Sequence, residues 1–132
     1  MNQRKIMFRV WDGFNKRMFM PDAIFFDQFD NVPVMCERFA AKIAIKTPNF
    51  ILMQFTGFHD KNEKEIYEGD LIKHQNVAEP LEVYWCDATG QWKLCKGKHR
   101  HYYGCLYSYP NNAIEIIGNA YDKPELVGDG NE

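Results

Sequence analysis

Cys95, His99, His101 and Cys105 form a C-x3-H-x-H-x3-C array, with Cys86 nine residues upstream. Thiolate and imidazole are ligands that zinc takes, but structural zinc sites usually carry paired C-x2–4-C knuckles, which this spacing lacks. On a strand, residues 99 and 101 would share a face and let both imidazoles converge. The simpler reading is four separate side chains on a loop-rich hairpin, with Cys95 packing. No cofactor is expected.

The same stretch interleaves Lys93, Lys96, Lys98 and Arg100 with His99, His101, Tyr102 and Tyr103. Cations at this density neutralise phosphates, and tyrosines stack on unpaired bases, so residues 93–103 are the candidate nucleic-acid site. Against this stands the whole-chain balance of 16 basic and 18 acidic residues, net −2, where nucleic-acid binders usually carry a basic surplus. A solvated loop with ordinary aromatic anchors is the plainer reading.

Other polar clusters read as turns. Asp60-Lys61-Asn62 begins like a calcium loop, but the sixth and twelfth positions, which need Gly and Glu, hold Glu65 and Leu71. Glu65, Glu68 and Asp70 could form an acidic site. In Glu68-Gly69-Asp70, however, Gly permits a positive φ and the Asp carboxylate caps nearby N–H groups. Arg9, Trp11 and Asp12 are read as a packed indole beside a turn-starting carboxylate. No nucleophile elbow, zincin helix or phosphate loop is present, and the chain is not expected to be an enzyme.

The elements that position these groups run at period two, the strand signature. Ile6, Phe8 and Val10 share one face of a first strand, Asp12–Lys16 reverses it, and Met18–Met20 returns. Ala23–Phe26 is a second apolar block, and Val34–Lys46, where Met35, Phe39 and Ile43 suit a helical face while Ala41, Ile43 and Ile45 alternate, is read as strand with irregular parts. Phe50–Phe55 is apolar on both faces apart from Gln54, as a buried strand is. Glu82–Cys86 and Gln91–Cys95 flank Asp87-Ala88-Thr89-Gly90, a hairpin that sets Trp85 opposite Trp92 and Val83 opposite Leu94. Gly118, inside Ala113–Tyr121, marks a bulge.

At 132 residues, with 45% hydrophobic content, the chain can bury a core without staples. No run approaches the roughly 20 apolar residues of a membrane span. Arg9 interrupts the N-terminal apolar run too early for a signal peptide. The expected location is the cytoplasm, with all four cysteines reduced.

Three blocks resemble the YopX family, small proteins carried by bacteriophages and prophages. They are Phe8-Arg9-Val10-Trp11-Asp12 with Asn15, Lys16 and Met18; Leu52–Gly57 continuing through Asp60-Lys61-Asn62 to Lys64–Asp70; and Glu115–Tyr121 with Pro124-Glu125-Leu126. The resemblance implies an all-β fold of coiled, strongly bent antiparallel sheets. It implies a bacterial host cell as the setting, and it carries over no activity and no catalytic residue.

Together these readings predict one all-β domain over residues 1–126 with a frayed tail over 127–132. Seven to ten short strands would close partly, like a small SH3-like barrel, with at most one short helix. The predicted core is Ile6, Phe8, Val10, Leu52, Ile72, Val83, Trp85, Trp92, Leu94, Ile114, Ile116 and Tyr121. The predicted role is a non-enzymatic phage accessory protein that acts through protein contacts as a homo-oligomer, with a phage or host protein as further partner. Nucleic-acid binding through residues 93–103 is the alternative.

Overall fold

The computed structural model describes residues 3–45 and 48–129. The fold is all-β with curled sheets that include a half-barrel, as both the period and the resemblance lead one to expect. Twelve strands are described rather than seven to ten, because several are only three or four residues long. Helical structure among the described residues is confined to three 3-10 turns at Leu106–Ser108, Asn111–Ala113 and Pro124–Leu126. No described helix is long and apolar enough to cross a membrane.

Contacts divide the chain into two compact units, residues 6–54 and residues 55–132 with 1–5. The first holds β1 (Phe8–Asp12), β2 (Arg17–Phe19), β3 (Ala23–Phe26), β4 (Pro33–Arg38), β5 (Ala41–Ala44) and the first half of β6 (Phe50–His59). β1 pairs antiparallel with β2 and with β6, Val10 lying opposite Phe19 and Leu52. β3, β4 and β5 form a separate antiparallel meander with a register shift between Phe25 and Phe26, so the described part of that stretch of the sequence is a three-stranded sheet, and residues 46 and 47 lie outside the described residues. Its second reversal is a two-residue turn in which Phe39 and Ala40 both take positive φ, +52° and +66°. Val10, Cys36 and Ile45 form the buried centre of this unit, with Phe19, Ile24 and Leu52 against it.

The second unit contains the rest of β6, β7 (Glu65–Tyr67), and a five-stranded sheet in the order β11-β10-β9-β8-β12. Those strands are β8 (Asp70–His74), β9 (Leu81–Cys86), β10 (Gln91–Lys96), β11 (His101–Cys105) and β12 (Ile114–Asn119). Val83 lies opposite Leu94 and Trp85 opposite Trp92, the expected register. Gly90 supplies the left-handed residue of the turn at φ +64°. The β12 ladder shifts register between Ile116 and Gly118, the expected bulge. Ile66, Ile72, Leu81, Val83, Leu94, Leu106 and Ile114 are sealed in its core.

Three predicted core residues are exposed instead: Ile6, Trp85 and Tyr121. Ile6 precedes the first strand, so nothing fixes it to a face. Trp85 sits at the hairpin end, beyond the Val83–Leu94 layer, and meets Trp92 edge-on at 5.0 Å. Tyr121 follows β12 in a turn whose N–H groups at 121 and 122 donate to Asn119 Oδ1. Of the tail predicted to fray, residues 130–132 lie outside the described residues, and the carbonyl of Gly128 accepts from the Lys98 N–H at 3.0 Å.

Candidate functional site

The turn carboxylates are built from the backbone outward. Asp12, buried at the end of β1, accepts the N–H groups of Phe14 and Asn15 and the Asn15 side-chain amide. That side-chain bond leads the causes that hold its pKa below the ordinary value, against the opposing pull of burial. Asp70 Oδ2 accepts the Tyr67 N–H at 2.7 Å across Glu68-Gly69, the turn geometry anticipated for that motif. Glu65 pairs with Lys5 at 2.9 Å.

Asp60 is the most heavily used. Oδ1 accepts the N–H groups of Asn62 and Lys64, and Oδ2 accepts the Ile116 N–H of β12. Burial alone would raise its pKa, but the three backbone donors and nearby Lys64 outweigh it and the shift is downward. The beginning of a calcium motif is therefore a clasp between a turn and a distant strand. A cleft of about 510 Å³ beside it is lined by His59, Asp60, Lys61, Glu63, Asn111 and Asn112.

The two candidates named from the sequence share β10, β11 and the turn between them. Cys95 is buried within β10, and burial pushes its thiol up to about 11. Cys105 lies in β11, its thiol 3.6 Å from both Gln91 Oε1 and the Tyr102 hydroxyl. His99 is in the turn rather than on a strand, and its ring meets that of His101 edge-on at 6.2 Å. Among the described residues, no group of three or more His, Cys, Asp or Glu side chains is placed to hold a metal ion. The thiols should separate on labelling. Iodoacetamide should modify Cys86 first, since Thr89 and its neighbours lower its pKa by hydrogen bonding. Cys36 and Cys95 should react only on unfolding; mass spectrometry of a labelling time course reads the order.

The basic stretch is internally engaged. The Lys93 Nζ lies 5.1 Å above the Tyr102 ring and the Lys96 Nζ 5.3 Å above Tyr103. Arg100 reaches Glu82 at 2.8 Å and covers the Tyr84 ring at 5.4 Å. Lys98 pairs with Asp129 at 3.2 Å. Cations and tyrosines predicted to meet a ligand thus meet each other.

Sequence reasoning missed a second surface, in residues 6–54. Ile6, Phe14, Met20, Phe25, Phe26, Phe29, Val32 and Phe39 are all exposed there, with Phe29 at 86% and Phe39 at 80%. The exposed large side chains of the other unit are Trp85 and four tyrosines, each with a polar handle. Those of residues 6–54 have none. A cleft of about 370 Å³ runs beside β3, lined by Ile6, Met7, Phe8, Met20, Ala23 and Phe26 among others. β3 is an edge strand without a charged residue, the feature that edges usually carry against unwanted pairing.

Phe39 is held deliberately. Its N–H donates to Asp22 Oδ2 at 2.9 Å, and the Arg38 guanidinium stacks 4.1 Å from its ring. A bulky residue in the left-handed region costs about 1 kcal/mol or more. Replacing Phe39-Ala40 by Asn-Gly, the pair this turn prefers, should stabilise the chain by about 1 kcal/mol in urea melts.

No curated protein matches the chain. Two solved structures share its fold. Protein EF1440 from Enterococcus faecalis is 22% identical with a TM-score of 0.65, over 94% of this chain and 99% of that one. YopX from Bacillus subtilis is 20% identical with a TM-score of 0.61, over the whole of both chains. The family model described as YopX protein matches residues 7–128, the span that holds all three sequence blocks. The chain belongs to the YopX family.

Proposed function

We propose that this is a non-enzymatic interaction module, a phage or prophage accessory protein of the bacterial cytoplasm that works as a homo-oligomer. The observation that carries the reading is the exposed apolar surface of residues 6–54 beside the uncharged β3 edge. Apolar side chains exposed without polar handles are costly in water, and where they gather they mark contact surfaces. An open edge adds a row of backbone donors and acceptors for another strand.

A second copy is the occupant. The meander leaves β3 and β5 each with one edge unpaired among the described strands, so each copy brings two edges as well as the apolar side chains to cover them. The strain kept at Phe39 fits a side chain held outward for use, since Asn or Gly would make the turn more cheaply.

The test is the double substitution Phe25→Glu with Phe26→Glu, followed by light scattering. Both positions are exposed, so the fold is retained and circular dichroism should be unchanged. The expected result is dissociation toward monomer, by tenfold or more in the association constant at roughly 1.4 kcal/mol per tenfold. An assembly of unaltered mass would reject the surface.

A further inference from the structure

Between Lys93 and His101 the chain carries four cations and two histidines and no acid. Three of those cations are engaged by the sheet itself: Lys93 and Lys96 by tyrosines of β11, Arg100 by Glu82 and Tyr84 of β9. Lys98, at the tip of the β10–β11 turn, is engaged from elsewhere. Its backbone N–H donates to the Gly128 carbonyl at 3.0 Å, and its Nζ pairs with Asp129 Oδ1 at 3.2 Å. The segment that reaches it follows the last 3-10 turn and is seated by Gly128, where an added Cβ would lie 2.6 Å from Glu79 Oε2.

We propose that residues 127–129 are an acidic strap over an anion-binding hairpin tip, and that single-stranded nucleic acid displaces it. The strap puts a carboxylate where a phosphate would sit. It is also easy to displace: Lys98 and Asp129 are about two-thirds exposed, and an ion pair of that kind contributes at most about 1 kcal/mol. A polyanion gains from counterion release at every cation it meets, which a single carboxylate does not. The rings of Tyr102, Tyr103 and Tyr107, exposed although Lys93 and Lys96 lie over the first two, favour unpaired bases over a duplex, because stacking needs a free base face. This site lies within residues 77–129 and stands or falls separately from the oligomer surface.

The experiment is fluorescence anisotropy with labelled oligothymidylate at low salt, on full-length protein. Asp129→Asn removes the competing charge and disturbs no packing. Asp129→Asn should tighten binding about twofold to fivefold, the size of an exposed ion pair, and Lys98→Glu should erase the gain. A variant binding no tighter than the parent, or a gain that survives Lys98→Glu, would overturn the strap. An equal gain toward heparin or a duplex would overturn the assignment to single strands.

Discussion

Asp60→Ala should cost about 3–5 kcal/mol in equilibrium urea unfolding, although the residue sits in a turn. The reason is what the carboxylate leaves behind. The N–H groups of Asn62, Lys64 and Ile116 lose their acceptor at a site only 2% exposed. Each unmet buried donor costs about 1–3 kcal/mol, partly relieved by entering water. The Ile116 bond matters most, because it ties the turn at 60–64 to β12. Lys61 N–H to Ile114 carbonyl, at 2.9 Å, is the other backbone tie there. Asp60→Asn keeps oxygen for some of these donors and should cost less, about 1–2 kcal/mol.

The two variants also separate charge from shape. Asp60 has a pKa lowered from 3.8 in the fold, so the native state binds fewer protons than the unfolded one. Its contribution is complete above the ordinary value and fades as pH falls through the lower native one. Asp12, lowered through Asn15 and its neighbours, adds in the same direction. Stability should therefore drop on acidification below about pH 4, and Asp60→Asn should flatten that limb. An unchanged acid limb would show that the carboxylate is not held as an anion.

Gly69→Val should cost about 2–3 kcal/mol. Gly69 takes φ +86°, where a β-branched side chain is strained. Its N–H donates to the Val83 carbonyl and its carbonyl accepts the Ala120 N–H. One residue of the β7–β8 turn thus joins β9 and the segment after β12. Gly69→Ala should cost less than Val, and Gly69→Asn less again, because Asn tolerates the left-handed region. A urea series in which all three variants match the parent would contradict the ordering.

Local chemistry made much of this legible. Gly90 announces its turn because a hairpin loop needs a left-handed residue there, and the Val83–Leu94 register follows from loop length. Asp12, Asp70 and Gly118 act as their residue types dictate. The meander of β3, β4 and β5 was obscured because its reversal uses Phe39 and Ala40, neither a turn former. Ile66 and Leu106 are fully buried from elements of three residues, too short to show a period.

The surfaces were harder still. Pattern reading assigns large apolar residues inward, so Phe25, Phe26 and Phe29 carry no mark of being outside. The basic stretch was visible as composition, but its pairing with Tyr102, Tyr103, Glu82 and Asp129 depends on strand neighbours and on a segment about thirty residues away. Only the fold supplies that.

Sedimentation equilibrium of the unaltered chain over a wide concentration range tests the proposed assembly most directly. The mass should be a whole multiple of the chain's and should fall toward one chain on dilution or on charge substitution at Phe25 and Phe26. A strict monomer at every concentration, with those phenylalanines freely exposed, would contradict it.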